Sequence, residues 1–120
     1  MEEINVNQED FLKKLVEYSK KLNEKTLSLT RCLLLALMRF NEDGLPFREL
    51  KVILNISDGK LKSNLDFLED IGCVQKIPVK LDQKDMHIYM LTKIGKEEVK
   101  KISEWIKIYG KMEKILDESN

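Results

Sequence analysis

One stretch of 26 residues, 47–72, constrains the fold more than any other part of the chain. Apolar side chains in residues 48–55 recur three and four positions apart, which predicts a short helix. Residues 55–57 break this pattern, and Ser57 is suited to cap a second helix because its hydroxyl can accept a backbone N–H of the first turn. Two helices joined by so short a turn form a helix-turn-helix unit.

The second helix of this unit, residues 57–71, has two different sides. Leu61, Leu65 and Leu68 form an inward stripe at helical spacing, and Gly72 follows as a stop signal. A helix with a small, hydroxyl and basic surface on its first two turns suits insertion into the major groove of DNA, although an ordinary solvated face has the same composition. The outward positions are Gly59, Ser63, Asp66 and Asp70, with Lys62 on one flank and Lys60 and Phe67 on the other.

The charge balance counts against nucleic-acid binding. The chain has 120 residues, enough for a single domain, 1–120, with one modest core. It carries 21 Lys and Arg residues and 21 Asp and Glu residues, so its formal net charge is zero. Because affinity for DNA depends largely on neutralising phosphates, a neutral chain must concentrate its basic residues locally or bind weakly.

The composition gives no sign of an enzyme, a cofactor site or a membrane segment. Cys32, Cys73 and the only histidine, His87, lack neighbours at metal-ligand spacing, so we expect two buried reduced thiols and no metal. No nucleophile–base pair or Gly-rich phosphate loop is recognisable. No apolar run reaches the length of a membrane span and no signal-peptide pattern opens the chain, which favours a cytoplasmic protein.

Two helices are predicted before the helix-turn-helix unit. Residues 7–24 form an amphipathic helix whose wide apolar side either packs on a second chain or covers the chain's own core. Residues 29–40 are apolar on most sides, which predicts a central buried helix capped by Ser28 or Thr30. Arg31 at its start holds either a phosphate or an internal carboxylate, and we favour the internal role. The apolar positions of the first helix are Phe11, Leu15, Tyr18 and Leu22.

A two-stranded ribbon is predicted directly after the second helix of the unit. Residues 73–80 and 86–91 have the composition and alternation of strands, with residues 81–85 as the turn between them. Pro78 cannot donate a hydrogen bond to a neighbouring strand, which confines the first strand to an edge. The extended residues 45–47 can add a short third strand to this ribbon.

The chain ends in a long amphipathic helix, residues 93–118, which Thr92 is expected to cap. Gly110 interrupts its apolar side and permits a kink or a close helix crossing there. At about 1.5 Å per residue the helix is too long for so small a domain to cover. We therefore expect it to pack on a second chain, with a lid over its own domain as the alternative. The apolar stripe includes Ile102, Trp105, Ile106, Tyr109, Met112 and Leu116.

The order of these elements resembles the winged-helix transcriptional regulators of the ArsR and MarR type, in particular their small single-domain family. The resemblance covers residues 31–102 and is carried by RCLLLALM, by LPFRELKVILNISDGKLKSNLDFLEDIGCV and by YMLTKIGKEEVKKI. It implies a mostly α fold with a small β-hairpin (α+β). In that fold residues 28–92 form a winged helix-turn-helix core between long N- and C-terminal dimerisation helices.

The resemblance also implies a function, that of a homodimeric transcriptional regulator bound to an approximately palindromic double-stranded DNA site. Residues 57–71 would be the recognition helix in the major groove, and residues 80–86 a wing on the backbone or in the minor groove. Arg, which the family often carries at the wing tip, is absent here, and Asp82 and Asp85 accompany the wing lysines. The implied DNA contacts fall on Ser57, Gly59, Lys60, Lys62, Ser63, Lys80 and Lys84.

A second hypothesis is a winged-helix module that binds another protein, within a transcription or repair complex, without reading DNA. The zero net charge and the acidic residues Asp66 and Asp70 favour it. A small-molecule effector between the dimerisation helices is conceivable beside Tyr18, Trp105 and Tyr109 but is not indicated, because such aromatic residues usually form plain interface cores.

Overall fold

The computed structural model describes residues 6–118. Over this range it contains six α-helices, one 3₁₀ helix and three strands. This mostly helical architecture with a small antiparallel sheet confirms the fold class, a winged helix-turn-helix. The elements are α1 Val6–Ser19, the 3₁₀ helix Glu24–Thr26, α2 Leu29–Phe40, β1 Leu45–Pro46, α3 Phe47–Leu54, α4 Asp58–Asp70, β2 Val74–Leu81, β3 Lys84–Leu91, α5 Lys93–Gly110 and α6 Met112–Glu118.

The sheet has the strand order β1-β3-β2, and both pairings are antiparallel. Leu45 of β1 lies opposite Tyr89 of β3, so the predicted short third strand is confirmed. β2 is an edge strand of the sheet, as predicted from Pro78. Proline has no N–H to donate, and an edge strand has one side on which no neighbouring strand needs that hydrogen bond.

The tip of the hairpin differs from the prediction. The sequence predicts a turn over residues 81–85, but the strands continue to Leu81 and resume at Lys84. The two remaining residues, Asp82 and Gln83, have φ angles of +50° and +65°. Two consecutive left-handed residues match the right-handed twist of a β-ribbon, which allows so tight a turn.

The hydrophobic core lies where α2, the helix-turn-helix unit and the sheet meet. Helix α4 contributes its leucine stripe, whereas α3 buries only Leu50 fully and leaves Ile53 51% exposed, and the sheet closes the opposite side. The predicted stripe of α4 is confirmed by its three leucines, none more than 1% exposed. The fully enclosed side chains of these helices are Leu34, Leu35, Met38, Leu50, Leu61, Leu65 and Leu68.

Helix α2 is not the central buried helix that its apolar composition predicts. It buries Leu34, Leu35 and Met38, but Leu29 is 78% exposed and Phe40 is 90% exposed. The exposed apolar residues Leu29, Leu33 and Phe40 recur at helical spacing along one side of α2. Composition alone could not reveal this, because an apolar residue on a helix has the same sequence signature whether or not a neighbour covers it.

The N-terminal helix is shorter than the predicted 7–24. It ends at Ser19, whose hydroxyl donates to the carbonyl of Val16 over 2.6 Å. Asn23 then caps the 3₁₀ helix by accepting a hydrogen bond from the backbone N–H of Lys25 at 3.0 Å. These local side-chain bonds satisfy the backbone in a way that competes with continued α-helix.

The C-terminal helix of residues 93–118 is interrupted at Lys111, directly after Gly110. Thr92 caps α5 as predicted, since its hydroxyl accepts the N–H of Gly95 at 3.0 Å. We call α1, α5 and α6 the terminal helices. They give the described chain an elongated shape of 65 × 26 × 22 Å and a radius of gyration of 18.3 Å, against about 14 Å for a compact domain of this length.

Candidate nucleic-acid interface

Helix α4 is held firmly on its inner side and at its start. Its three core leucines fix its rotation, and the hydroxyl of Ser57 accepts the backbone N–H of Lys60 at 3.2 Å. This bond confirms Ser57 as the N-cap. Asp58 follows in the first turn, where the positive end of the helix dipole stabilises its negative charge. The helix is thus a rigid support for its outer side chains.

The outer side of α4 is open to solvent. Ser57, Gly59, Lys60, Lys62 and Ser63, which the resemblance assigns to DNA contacts, are all exposed. A Cβ added at Gly59 would have no heavy atom within 4 Å, apart from those of its two chain neighbours and of the backbone of α4 itself. The structure therefore brings these five residues together on one accessible surface, although whether they contact DNA remains a prediction.

One of these lysines is already paired. The Lys62 ammonium lies 2.9 Å from a carboxylate oxygen of Asp66, one helical turn further along. The hydrogen bond from Lys62 to Asp66, and then the charge of that carboxylate, raise the pKa of Lys62 above its ordinary value. Both side chains are largely exposed, so this pair adds little stability, but it lowers the local positive potential of the helix.

A second ion pair lies at the turn between α3 and α4. The Lys51 ammonium is 2.6 Å from the carboxylate of Asp58, and Asn55 between them adopts a left-handed φ of +51°. The bond joins the last turn of one helix to the first turn of the next. Sequence reasoning did not identify this pair, because the two residues are seven positions apart across a break and share no helical spacing.

The hairpin presents its lysines from strands instead of from a loop. Lys80 lies opposite Asp85 in the register of β2 and β3, and Lys84 lies opposite Leu81. All of these residues are exposed. Because the turn contains only Asp82 and Gln83, the lysines are held at fixed positions beside the tip, which is itself acidic.

Arg31 takes an internal role, as favoured, but its partner is not a carboxylate. Its Nε donates to the side-chain oxygen of Asn64 at 3.0 Å, and Nη1 donates to the backbone carbonyl of Lys25. The guanidinium carbon lies 3.7 Å from the centre of the Phe67 ring, a cation–π contact. Arg31 therefore connects the start of α2 to α4, and its interpretation as an ion-pair partner of an internal acid is corrected.

The residues predicted for a dimer interface divide into two sets. Ile102 is only 6% exposed and belongs to the hydrophobic core, so its assignment to a contact surface is corrected. Leu22 packs against that core as well. Ile106 and Tyr109, in contrast, are about half exposed on α5. The remaining predicted positions are partly exposed along the terminal helices: Phe11, Leu15, Tyr18, Trp105, Met112 and Leu116.

The aromatic residues considered for an effector pocket do not converge as one cluster. Trp105 stacks on Tyr109 with ring centres 5.3 Å apart, whereas the Tyr18 ring lies beneath the ammonium of Lys21 at 4.3 Å.

Burial raises the pKa of the Cys32 and Cys73 thiols, which makes both poor nucleophiles at neutral pH. Within residues 6–118 no group of three metal-ligating side chains occurs, and none of the helices is long and apolar enough to cross a membrane.

Solved structures of other proteins share this fold. A mutant of MepR from S. aureus bound to an oligodeoxyribonucleotide superimposes with a TM-score of 0.64 at 16% identity, covering 93% of this chain and 77% of that one. A transcriptional regulator homologue from Pyrococcus horikoshii gives 0.60 at 22% identity, with 90% and 98% covered. A MarR mutant from E. coli complexed with operator DNA gives 0.60 at 21% identity, with 86% and 68% covered.

The sequence itself matches a family beyond this likeness of fold. A search of curated proteins finds no relative of the chain. The family model described as a winged helix DNA-binding domain, however, matches residues 30–109. This match runs from the start of α2 through the helix-turn-helix unit and the hairpin to nearly the end of α5. Since it spans two-thirds of the 120 residues, the chain belongs to the winged helix DNA-binding domain family.

Proposed function

We propose that this protein is a sequence-specific, double-stranded DNA-binding transcriptional regulator that acts as a homodimer. In this proposal α4 enters the major groove and the hairpin rests on the backbone or in the minor groove. The observation that carries it is the uncovered outer side of α4, where Gly59, Lys60, Lys62 and Ser63 are exposed while the inner leucines are enclosed. The family of DNA-binding domains to which the chain belongs supports the same role.

The distribution of charge along α4 suggests how the helix meets DNA. Its first two turns carry Lys60 and Lys62 together with Asp58, which pairs with Lys51, whereas its last turns carry Asp66, Glu69 and Asp70. A helix that approached DNA along its whole length would bring three carboxylates towards the phosphates. We therefore infer that only the N-terminal half of α4 enters the groove, as is usual for helix-turn-helix proteins.

The terminal helices support the dimeric part of the proposal. They carry half-exposed apolar side chains on α1 and α5, among them Val16, Ile106 and Tyr109. A large apolar surface on a soluble chain typically marks a contact with another molecule. A second copy with two-fold symmetry would cover it and would present a second α4 to the next turn of the duplex, about 34–36 Å away.

The solved structures with DNA agree with this proposal. Solved structures of MepR and MarR mutants, which have the same fold, contain an oligodeoxyribonucleotide and operator DNA respectively. At 16% and 21% identity they cannot indicate a target sequence for this chain. A bound sequence must therefore be found without prior assumptions.

Selection of bound duplexes from a random pool is the direct experiment. We expect enrichment of an inverted repeat whose half-sites are about one helical turn apart. A salt titration with the enriched duplex should then show affinity falling steeply between about 50 and 200 mM salt, because phosphate contacts release counterions. An unenriched pool, or an affinity that does not respond to salt, would contradict DNA recognition.

A second candidate is a protein-binding winged helix without DNA readout. The zero net charge and the acidic second half of α4 favour it. A stable complex with a single purified protein partner, combined with no shift of any duplex at low salt, would select this function over the first.

Asp66 offers a test of how charge on α4 controls binding. Replacing Asp66 with Asn frees the ammonium of Lys62 and removes a negative charge from the outer side of α4. We expect Asp66→Asn to tighten duplex binding by about three- to tenfold at low salt. Glu104→Gln on α5 makes the same change of charge away from α4 and should leave affinity unchanged. Weaker binding by Asp66→Asn would instead indicate that the carboxylate accepts a hydrogen bond from a cytosine amino group.

Ile106 offers a test of the dimer. Because this side chain is 51% exposed on α5, Ile106→Glu should keep the fold but place a charge in the proposed apolar contact. We expect a mass close to that of the monomer by light scattering, and a loss of duplex affinity of about a hundredfold since two linked half-sites become one. Lys107→Glu introduces the same carboxylate at the adjacent solvated position and should remain dimeric. A monomeric wild-type protein would contradict this part of the proposal.

A further inference from the structure

A continuous series of hydrogen bonds runs from α5 to α4 through the connection between α1 and α2. The carboxylate of Glu98 on α5, which is only 8% exposed, accepts the backbone N–H of Asn23 at 3.2 Å. Asn23 caps the 3₁₀ helix Glu24–Thr26, and its side-chain oxygen accepts the N–H of Lys25 at 3.0 Å. The carbonyl of Lys25, within this short helix, accepts Arg31.

Arg31 continues the series into α4. Its Nε bond to Asn64 is followed by a bond from the Asn64 amide to the carbonyl of Lys60, at 2.8 Å, in the first turns of α4. The guanidinium plane also covers the ring of Phe67. One side chain therefore contacts the backbone of the connection and two side chains of α4.

We propose that Arg31 is a positioning residue that couples the connection between α1 and α2 to α4. In this arrangement the orientation of α4 depends on the 3₁₀ helix, which Glu98 in turn ties to the terminal helices. A guanidinium suits this role because its rigid plane can lie on a ring face while its in-plane N–H groups donate to two separate acceptors, whereas an ammonium is a compact point charge without this fixed geometry. What the coupling serves rests on the proposed function: a shift of the terminal helices would alter the presentation of α4 to DNA.

Hydrogen exchange on the free protein tests the coupling without DNA. We expect Arg31→Gln to accelerate amide exchange by about tenfold both at residues 24–27 and at residues 61–67, because both segments lose the same bridge. Arg31→Lys keeps the charge but should behave like Arg31→Gln. The matched control is Arg39→Gln on the same helix, whose guanidinium pairs only with the exposed Glu42 at 3.0 Å and should alter neither segment.

Asn64 tests the coupling from the other side. Asn64→Ala should accelerate exchange at residues 24–27, although Asn64 does not contact them, and Asn64→Asp should restore protection because it keeps an acceptor for Arg31. A residue with a merely local role in α4 would leave residues 24–27 unaffected. This variant also decides the question if Arg31→Gln fails to fold.

Duplex binding supplies the functional measurement. Arg31→Gln should weaken binding about tenfold with an unchanged slope of log affinity against log salt, because Arg31 does not contact phosphate in this arrangement. Unchanged exchange at either segment in Arg31→Gln and Asn64→Ala, or full protection in Arg31→Lys, would overturn the coupling. A wild-type protein that binds no duplex would contradict the proposed function instead, and the exchange data would still decide the coupling.

Discussion

Gly95→Ala is expected to lower the free energy of unfolding by about 3 kcal/mol or more, a fall in melting temperature of about 10 °C or more. A Cβ at position 95 would lie 2.0 Å from the carbonyl oxygen of Cys73 and 3.0 Å from a methyl carbon of Leu91. That carbonyl cannot simply move, because it already accepts the N–H of Thr92 at 3.0 Å, where β3 passes into α5. Urea denaturation followed by circular dichroism measures the change.

The matched control for this substitution lies on the same helix. A Cβ added at Gly110 would have no heavy atom within 4 Å, apart from those of its two chain neighbours and of the backbone of α5 itself. The φ angle of Gly110 is not in the left-handed region, so alanine can adopt its backbone conformation. Gly110→Ala should therefore raise stability by up to about 1 kcal/mol, since Ala has the higher helix propensity. Equal stability of the two alanine variants would show that α5 does not approach Cys73, the residue before β2, as closely as described.

The double variant Lys62→Glu/Lys84→Glu is expected to reduce affinity for the selected duplex by at least about a hundredfold at low salt. Lys62 lies on the outer side of α4 and Lys84 beside the tip of the hairpin, and both are exposed. Each replacement removes one positive charge and adds a negative one opposite the phosphates. The slope of log affinity against log salt should also become shallower by about 2, because two phosphate contacts are lost. Anisotropy of a labelled duplex measures both quantities.

This loss of affinity must be separated from a loss of structure. At position 62 the new carboxylate lies one turn from Asp66, a like-charge pair that costs only about 0.5 kcal/mol on a helix surface. Lys107→Glu/Lys114→Glu changes the net charge by the same amount on the terminal helices and should bind within about threefold of wild type. Dimers should persist in both double variants. Equal binding by the two would mean that attraction is not localised at α4 and the hairpin.

The helix-turn-helix unit was predictable because its signals are local. Ser57, the leucine stripe of α4 and Gly72 each act within a few residues of the backbone that they shape, so periodicity and capping preferences are sufficient to identify them. Thr92 at the start of α5 is a further example. The candidate surface on α4 follows from the same periodicity, since a stripe that is buried determines which side faces outward.

Tertiary structure decided the features that depend on residues far apart in the chain. The burial of Ile102, the exposure of Phe40 and the ion pair of Lys51 with Asp58 each depend on which neighbouring element covers or approaches the side chain. The partners of Arg31 follow the same logic, since Asn64 is 33 positions away. Local sequence preferences determine where helices, caps and strands begin and end. The packing of these elements determines which apolar faces are covered and which charges meet, because burial and pairing are properties of two surfaces and not of one segment.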